Sequence, residues 1–227
     1  MSIVVCGDTH GIIDIRKVEE YFSGREDEFT KEDYLIICGD VAICGFNADN
    51  EKKTRKALRN LPVTVLFCDG NHENFDKLND YPVEEWHGGK VHMIEPDIIH
   101  LMRGQIFNVE GKTFFVFGGA FSMDRDNRVQ GVTWFEQELP CKAEMDEAWD
   151  NLRDINYNVD YVITHTAPYE VVLSLGYEPR DEEIEQMEFL QEVADELQFK
   201  KWFFGHFHED VSMDNYICLM DEIVELM

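Results

Sequence analysis

The sequence predicts a mixed α/β fold, of the α+β kind, with two β-sheets flanked by helices. Three observations carry this expectation. In the first third, short and almost continuously apolar runs alternate with amphipathic stretches, the pattern of strands covered by helices. In the middle, that alternation gives way to a block of short β-rich runs. At 227 residues, 44% hydrophobic and with 16 Phe, the chain can fill a substantial core. Disordered, collagen-like and coiled-coil classes are thereby excluded.

The elements follow in order. Ile3 to Cys6 is an apolar, partly β-branched run stopped by Gly7. From Ile13 to Phe22, the spacing of Ile15, Val18, Glu19 and Phe22 is helical, and Ser23-Gly24 ends it. Tyr34 to Cys38 and Val63 to Cys68 read as buried strands, with a basic, exposed helix from Asn50 to Leu61 between them. Val91 to Ile94, Ile98 to Leu101, Gln105 to Val109 and Thr113 to Phe117 are short β-rich runs. Glu110-Gly111 signals a hairpin. Ser122 to Gly131 is loop-like. Acidic helices are expected at Lys142 to Ile155 and Asp181 to Leu197, and strands at Tyr161 to Thr164 and Trp202 to Phe204. Asp210 to Met227 is expected to return as one or two strands. There are no repeats and no low-complexity linker, so residues 1–227 read as one domain.

Charge and cysteine usage narrow the function. Lys and Arg number 20 against 47 Asp and Glu, a formal charge of −27. Such a surface repels phosphate backbones and anionic membranes, which argues against a long nucleic acid or a membrane as partner. No apolar run approaches the roughly 18 residues of a membrane span. The opening MSIVVCGDTHG reads as a strand and not as a signal peptide. Six Cys in a chain of this size are expected to be reduced thiols, which points to the cytoplasm.

Polar residues gather at the strand ends. The ends read Gly7-Asp8-Thr9-His10, Gly39-Asp40, Gly70-Asn71-His72-Glu73, Thr164-His165-Thr166-Ala167-Pro168 and Gly205-His206-Phe207-His208. Ligands of open α/β sheets bind beyond the carboxyl ends of strands. Five such strands side by side would bring these side chains into one crevice. Carboxylate, imidazole and amide oxygen suit Mn, Fe or Zn better than an all-oxygen Ca site. Two such cations about 3.5–4 Å apart clamp the attacking and leaving oxygens of a displacement at phosphorus. The glycine beside each candidate ligand leaves room for metal and substrate to approach the backbone. Each piece alone has a plain reading: a turn, a rim histidine, or a helix N-cap at Asn71 or Asn74.

In this order, Asp-x-His, Gly-Asp, Gly-Asn-His-Glu, His and Gly-His-x-His resemble the motifs of the calcineurin-like metallophosphoesterases. The motifs run from Asp8 to His208 and so span most of the chain. The resemblance implies a four-layer sandwich of two packed mixed sheets flanked by helices. It implies one metal on Asp8, His10, Asp40 and His208 and a second on Asp40, Asn71, His165 and His206, with Asp40 bridging. It also implies in-line attack by a metal-bridging hydroxide on a small phosphomonoester, phosphodiester or nucleotide. His72 would contact the phosphoryl group and protonate the leaving oxygen, so the expected catalytic set is Asp40, Asn71 and His72. Two departures stand out. Asp40 is followed by Val41-Ala42-Ile43, not by the Asp-Arg-Gly of protein serine/threonine phosphatases and dinucleoside tetraphosphatases. After His165 comes Thr-Ala-Pro, where many members carry two prolines.

Residues outside the motifs have weaker readings. Arg125 and Arg128, conspicuous in so acidic a chain, are candidates to bind the substrate phosphate. Otherwise they pair with Asp124 and Asp126. Trp134, Phe135 and Trp149 are expected in the core before an aromatic wall, and Cys6, Cys38 and Cys68 as small apolar fillers. His87, His92 and His100 are expected to be structural or at the surface. Loops Phe46 to Asn50 and Ser122 to Trp134 are expected to set the substrate. The competing functions are a phosphoprotein phosphatase or nuclease on the same site, a mononuclear hydrolase, and a non-catalytic metal-binding scaffold. The absent Asp-Arg-Gly disfavours the first and the charge the second. Seven candidate ligands exceed the needs of a mononuclear site.

Overall fold

A computed structural model describes residues 1–45 and 47–226. The first strands and helices are β1 (Ile3–Cys6), α1 (Arg16–Phe22), β2 (Tyr34–Ile37), α2 (Ala48–Asn60) and β3 (Thr64–Phe67). A short helix α3 (Phe75–Asn79) leads to β4 (Val83–Trp86), β5 (Gly89–Glu95), β6 (Ile98–Leu101), β7 (Gln105–Val109) and β8 (Lys112–Phe117). Then come α4 (Lys142–Asp154), β9 (Tyr161–Thr164), α5 (Tyr169–Ser174), α6 (Ile184–Glu196) and β10 (Lys201–Phe204). The chain closes with β11 (Val211–Met213), β12 (Tyr216–Cys218) and β13 (Ile223–Leu226).

These strands form two mixed sheets among the described residues. One has the order β13-β1-β2-β3-β6-β5-β4, the other β11-β12-β10-β9-β8-β7. In the first, β1, β2, β3 and β6 run parallel, and in the second β8, β9, β10 and β12 do. Side-chain alternation then sorts each strand's residues between two cores. Val5, Ile36, Cys38 and Leu66 face Phe107, Phe114, Ile163 and Phe203 between the sheets. Val4, Leu35, Ile37 and Phe67 pack outward under Val18, Phe22 and Leu58 of α1 and α2. Phe115, Val162, Trp202 and Phe204 pack outward under Leu152, Leu190 and Val193 of α4 and α6. Helices, sheet, sheet and helices make four layers. Strands buried on both faces explain the continuous apolar runs.

The differences from the sequence reading are local. Helix α1 starts at Arg16, because Gly11 to Ile15 form turns and Ile13 stands exposed. The last stretch makes three strands, not one or two, and β13 pairs antiparallel with β1. Three short elements carry too little periodicity to read: α3, α5 and β4, whose Val-Glu-Glu-Trp has no apolar run. Glu110 and Gly111 both take positive φ, 53° and 73°, the left-handed pair that a two-residue hairpin needs. Among the described residues no helix is long and apolar enough to cross a membrane.

A buried polar chain fastens the two sheets near the site. Arg103, 5% exposed at its side chain, donates through Nε (2.9 Å) and Nη2 (2.6 Å) to Asp69 Oδ2. It also donates to the carbonyls of Gln137 and Glu138. His100 Nε2 lies 3.2 Å from Asp69 Oδ1, and His92 Nδ1 lies 3.1 Å from His100 Nδ1. Burial opposes the Asp69 charge, but Arg103 and His100 outweigh it and hold the carboxyl well below its usual range. Burial, with His100 beside it, pushes His92 down to about 4. His92 and His100 are thus structural, as their place outside the motifs suggests.

Two outcomes are expected. Arg103→Met leaves the Asp69 carboxylate buried with one weak partner, at a cost of roughly 3–5 kcal/mol in urea unfolding. A loss under about 1 kcal/mol contradicts the role given to the pair. The second concerns acid. Folded His92 declines the proton that the unfolded chain takes below its ordinary 6.5. Stability therefore falls as pH drops from about 6.5 towards about 4, by up to about 3 kcal/mol from this residue. His92→Gln, measured with chelator present, should lose that part of the slope, and an unchanged slope refutes it.

Candidate metal centre

The five polar strand ends meet at one edge of the sandwich, but not side by side. The ends of β1, β2 and β3 come from one sheet, and those of β9 and β10 from the other. They face each other across the inter-sheet core, which brings side chains far apart in sequence within bonding range. Three groups place one donor atom per residue within 4.8 Å of one another: Asp8, His10 and His208; His10, Asp40 and His72; and Asp8, Asp40 and His165. Asn71 joins them, its Oδ1 3.0 Å from both His165 Nε2 and His206 Nδ1.

Close approach of neighbouring ligands explains two of the glycines. A Cβ on Gly70 would lie 2.1 Å from Asp40 Oδ1, and one on Gly205 would lie 2.0 Å from Asp8 Oδ1. The space is taken by the adjacent carboxylate, so these glycines serve the ligands and not the passage of substrate. Backbone strain is present here as well. His10, Asp40, His206 and His208 all take positive φ, a conformation costing about 1–3 kcal/mol for a residue with a Cβ.

Neighbours fix the direction of each donor. His165 Nδ1 donates to the Cys38 carbonyl (2.8 Å), so Nε2 is the ring nitrogen that faces Asp40 and Asn71. His10 Nδ1 sits 2.8 Å from Asp14 Oδ2, leaving Nε2 3.3 Å from Asp40 Oδ2. The Asp40 carboxylate accepts from the His72 N–H (2.7 Å), and Asp8 accepts from the His206 N–H. Lys17 ties the Asp8 carbonyl to the Met220 carbonyl. Asn71 Nδ2 donates to Ser122 Oγ (3.2 Å), which donates to Oε2 of fully buried Glu138 (2.8 Å). The amide nitrogen is thereby held on Ser122 and the amide oxygen on the histidine side.

The electrostatics favour added positive charge. Burial opposes ionisation of Asp40, but His165 and His72 hold it well below the usual carboxylate range. Asp8 is pushed up by burial, helped by Asp40. The two carboxylates overcome burial to raise His165 to about 10 and His10 to about 9. His206, buried and beside His165, is pushed down to about 3 and is neutral, as a ligand must be. Protons held this tightly mark a potential that a divalent cation would also feel, and a cation would displace them. The donor set fits a dinuclear divalent site, with metal identity open.

The remaining residues divide. Arg128 reaches the site: its Nη2 is 2.8 Å from His72 Nδ1, and its Nε is 2.8 Å from Asp124 Oδ1. Arg125 is engaged by Glu138 (2.5 Å) and lies over the rings of Phe121 and Trp134. Phe135 is buried, and Trp149 packs on Tyr157 and Phe189. Cys6, Cys38 and Cys68 are buried, and burial raises each thiol. Asn74, not Asn71, caps a helix, accepting from Lys77 N. Of the segment Phe46 to Asn50 that the sequence predicts as a loop, Phe46 lies outside the described residues, Asn47 caps α2 and Ala48 to Asn50 form its first turn. The sequence reading missed Asp14, Lys17, Ser122 and Glu138. Asp14 had a signal in its i+4 spacing from His10, whereas Glu138 meets Ser122 only through tertiary folding.

Comparisons with known proteins bear on the family and the fold. The calcineurin-like phosphoesterase family model matches residues 1–210. The chain is 24% identical over 238 residues to the lariat debranching enzyme of Schizosaccharomyces pombe, covering 92% of this chain and 48% of that one. It thus spans about half the length of that curated relative. A putative 5'-nucleotidase from Staphylococcus aureus superposes with a TM-score of 0.54 at 15% identity, over 99% of this chain and 50% of the other. A Thermus thermophilus sulfate thiohydrolase, SoxB, gives 0.51 at 10% identity, over 97% and 51%. The last two show a shared fold.

Ser122→Ala removes the anchor of the Asn71 amide without altering any candidate ligand. We expect about 10- to 100-fold weaker binding of one of two Mn²⁺ equivalents by titration calorimetry. Two equivalents bound at parental affinity would show that the anchor does not matter.

Proposed function

Because the chain belongs to the calcineurin-like phosphoesterase family, we propose that it is a dinuclear metal-dependent hydrolase of a small phosphomonoester, phosphodiester or nucleotide. One observation carries the dinuclear part. Asp40 sends Oδ2 to His10 Nε2 at 3.3 Å and Oδ1 to His165 Nε2 at 3.5 Å, so each oxygen serves a different group. In this reading Asp8, His10, Asp40 and His208 hold one cation, and Asp40, Asn71, His165 and His206 hold the other. Bound there, divalent cations supply Lewis acidity and lower the pKa of water.

The chain's own residues supply the rest. His72 stands 3.9 Å from Asp40 Oδ2, with Arg128 against its ring. Burial and the adjacent guanidinium hold His72 below its ordinary pKa, so in this reading it meets the phosphoryl group first and takes up the proton it passes to the departing oxygen only beside that negative charge. Arg128 adds positive charge for the phosphoryl oxygens. Arg125 we assign to the scaffold, since Glu138 engages it. The formal net charge of −27 supports a small substrate over a long nucleic acid. Six free cysteines, five of them buried, support a reducing compartment such as the cytoplasm.

The test is a panel of chromogenic phosphomono- and diesters with Mn²⁺, Fe²⁺ or Zn²⁺, run on the parent and on His72→Ala. We expect metal-dependent turnover, reduced about 10²–10⁴-fold in the variant. Bound metal without turnover anywhere on the panel favours a non-catalytic scaffold. Full activity in the variant removes the role given to His72.

A further inference from the structure

Two separate cavities open beside the metal centre. The first, of about 280 Å³, is lined by His10 and His72 together with Ile12, Ile13, Ala42 and Asn50. The second, of about 160 Å³, is lined by His206 and His208 together with Met123, Val172, Tyr177 and Phe207. They share no lining residue, and each touches a different pair of site histidines.

Their chemistry is alike in one respect: among the described residues neither is lined by a Lys or an Arg. The second even carries two carboxylates, Glu178 and Glu183. A further phosphate group would meet only the uncharged polar groups of Asn47, Asn50 and Thr54 in the first, with no cation to offset its charge, and repulsion in the second. Both walls are instead mostly apolar. Ile13 is 75% exposed, Ile12 38%, Met123 54% and Tyr177 37%. Exposed apolar side chains are costly unless something covers them, and here they stand at two rims of one polar centre. The Tyr177 and Phe207 rings, with centroids 5.0 Å apart, form a surface suited to a planar aromatic group.

We infer that the substrate is a phosphodiester with two uncharged, largely apolar organic arms, one seated in each cavity. This rests on the phosphoesterase reading above and deepens it. A monoester has one arm and leaves one cavity wet. A polyphosphate sends its extra charge into a cavity with no cation. A diester monoanion also matches the single guanidinium, Arg128, that reaches His72 among the described residues. Hydrolysis adds water across one P–O bond and yields an alcohol and a phosphomonoester.

The experiment compares bis(4-nitrophenyl) phosphate, methyl 4-nitrophenyl phosphate, 4-nitrophenyl phosphate and pyrophosphate on the Mn²⁺-loaded full chain. We expect kcat/KM highest for the bis-aryl diester, about tenfold lower when one arm is methyl, and negligible for pyrophosphate. Ile13→Ala and Tyr177→Ala should each raise KM for the bis-aryl diester about tenfold, since each strips one arm of its wall. Both side chains are exposed, so unchanged thermal midpoints are the check on folding. A monoester or pyrophosphate preferred over the diester overturns the inference, as does either variant with parental KM. Those results leave the phosphoesterase reading standing, whereas no turnover of any ester with metal bound removes that reading itself.

Discussion

Two carboxylates, Asp8 and Asp40, lie buried where the two sheets meet, and the rest of the structure is arranged around their charge. Asp8 is wholly buried and Asp40 is 1% exposed. Uncompensated negative charge at that depth would cost several kcal/mol per group. The compensation is distributed. Backbone N–H groups of His72 and His206 bond to the carboxylates, and histidines from both sheets surround them. Left-handed backbone at four site residues is tolerated because this crowding leaves no alternative. The site is a place where polar demand overrides local preference.

That demand explains the layers beneath. The site carboxylates and histidines sit in the short turns that follow strands buried on both faces, which fixes where those turns begin. The Asp69–Arg103 pair pins the β3 end to the loop that carries Glu138. Glu138 holds Ser122, and Ser122 holds Asn71. One polar chain therefore runs from the middle of the first sheet to the amide at the centre. Its members are buried and mutually satisfied, the condition under which polar networks confer a unique arrangement.

Much of this was legible in the sequence, and the legible parts share a cause. Apolar runs such as Tyr161 to Thr164 and Ile98 to Leu101 match their strands to the residue because burial on both faces leaves no other composition. The strand-end Gly-Asp and Gly-His pairs stood out because close packing of ligands excludes a Cβ beside them. What was not legible depends on meetings across the fold. Nothing local marks Glu138 as a partner of Ser122, or Lys17 as the link between Asp8 and Met220. Arg125 and Arg128 look equivalent in sequence, yet one meets Glu138 and the other His72. The strand ends were read as neighbours in one sheet, whereas the alternation of two sheets places them face to face.

That face-to-face arrangement sets an order of assembly. Asp8 follows β1, and its partner His208 follows β10. The edge beside β1 is completed by β13, and the Asp8 carbonyl is tied through Lys17 to the Met220 carbonyl. During synthesis, the amino-terminal strands emerge long before either partner exists. A chain interrupted before β10 would carry the acidic half of the centre and not its closing histidines. Contacts of such long sequence separation are slow to form. Capture of metal by the whole donor set then waits on β10, because His206 and His208 follow it.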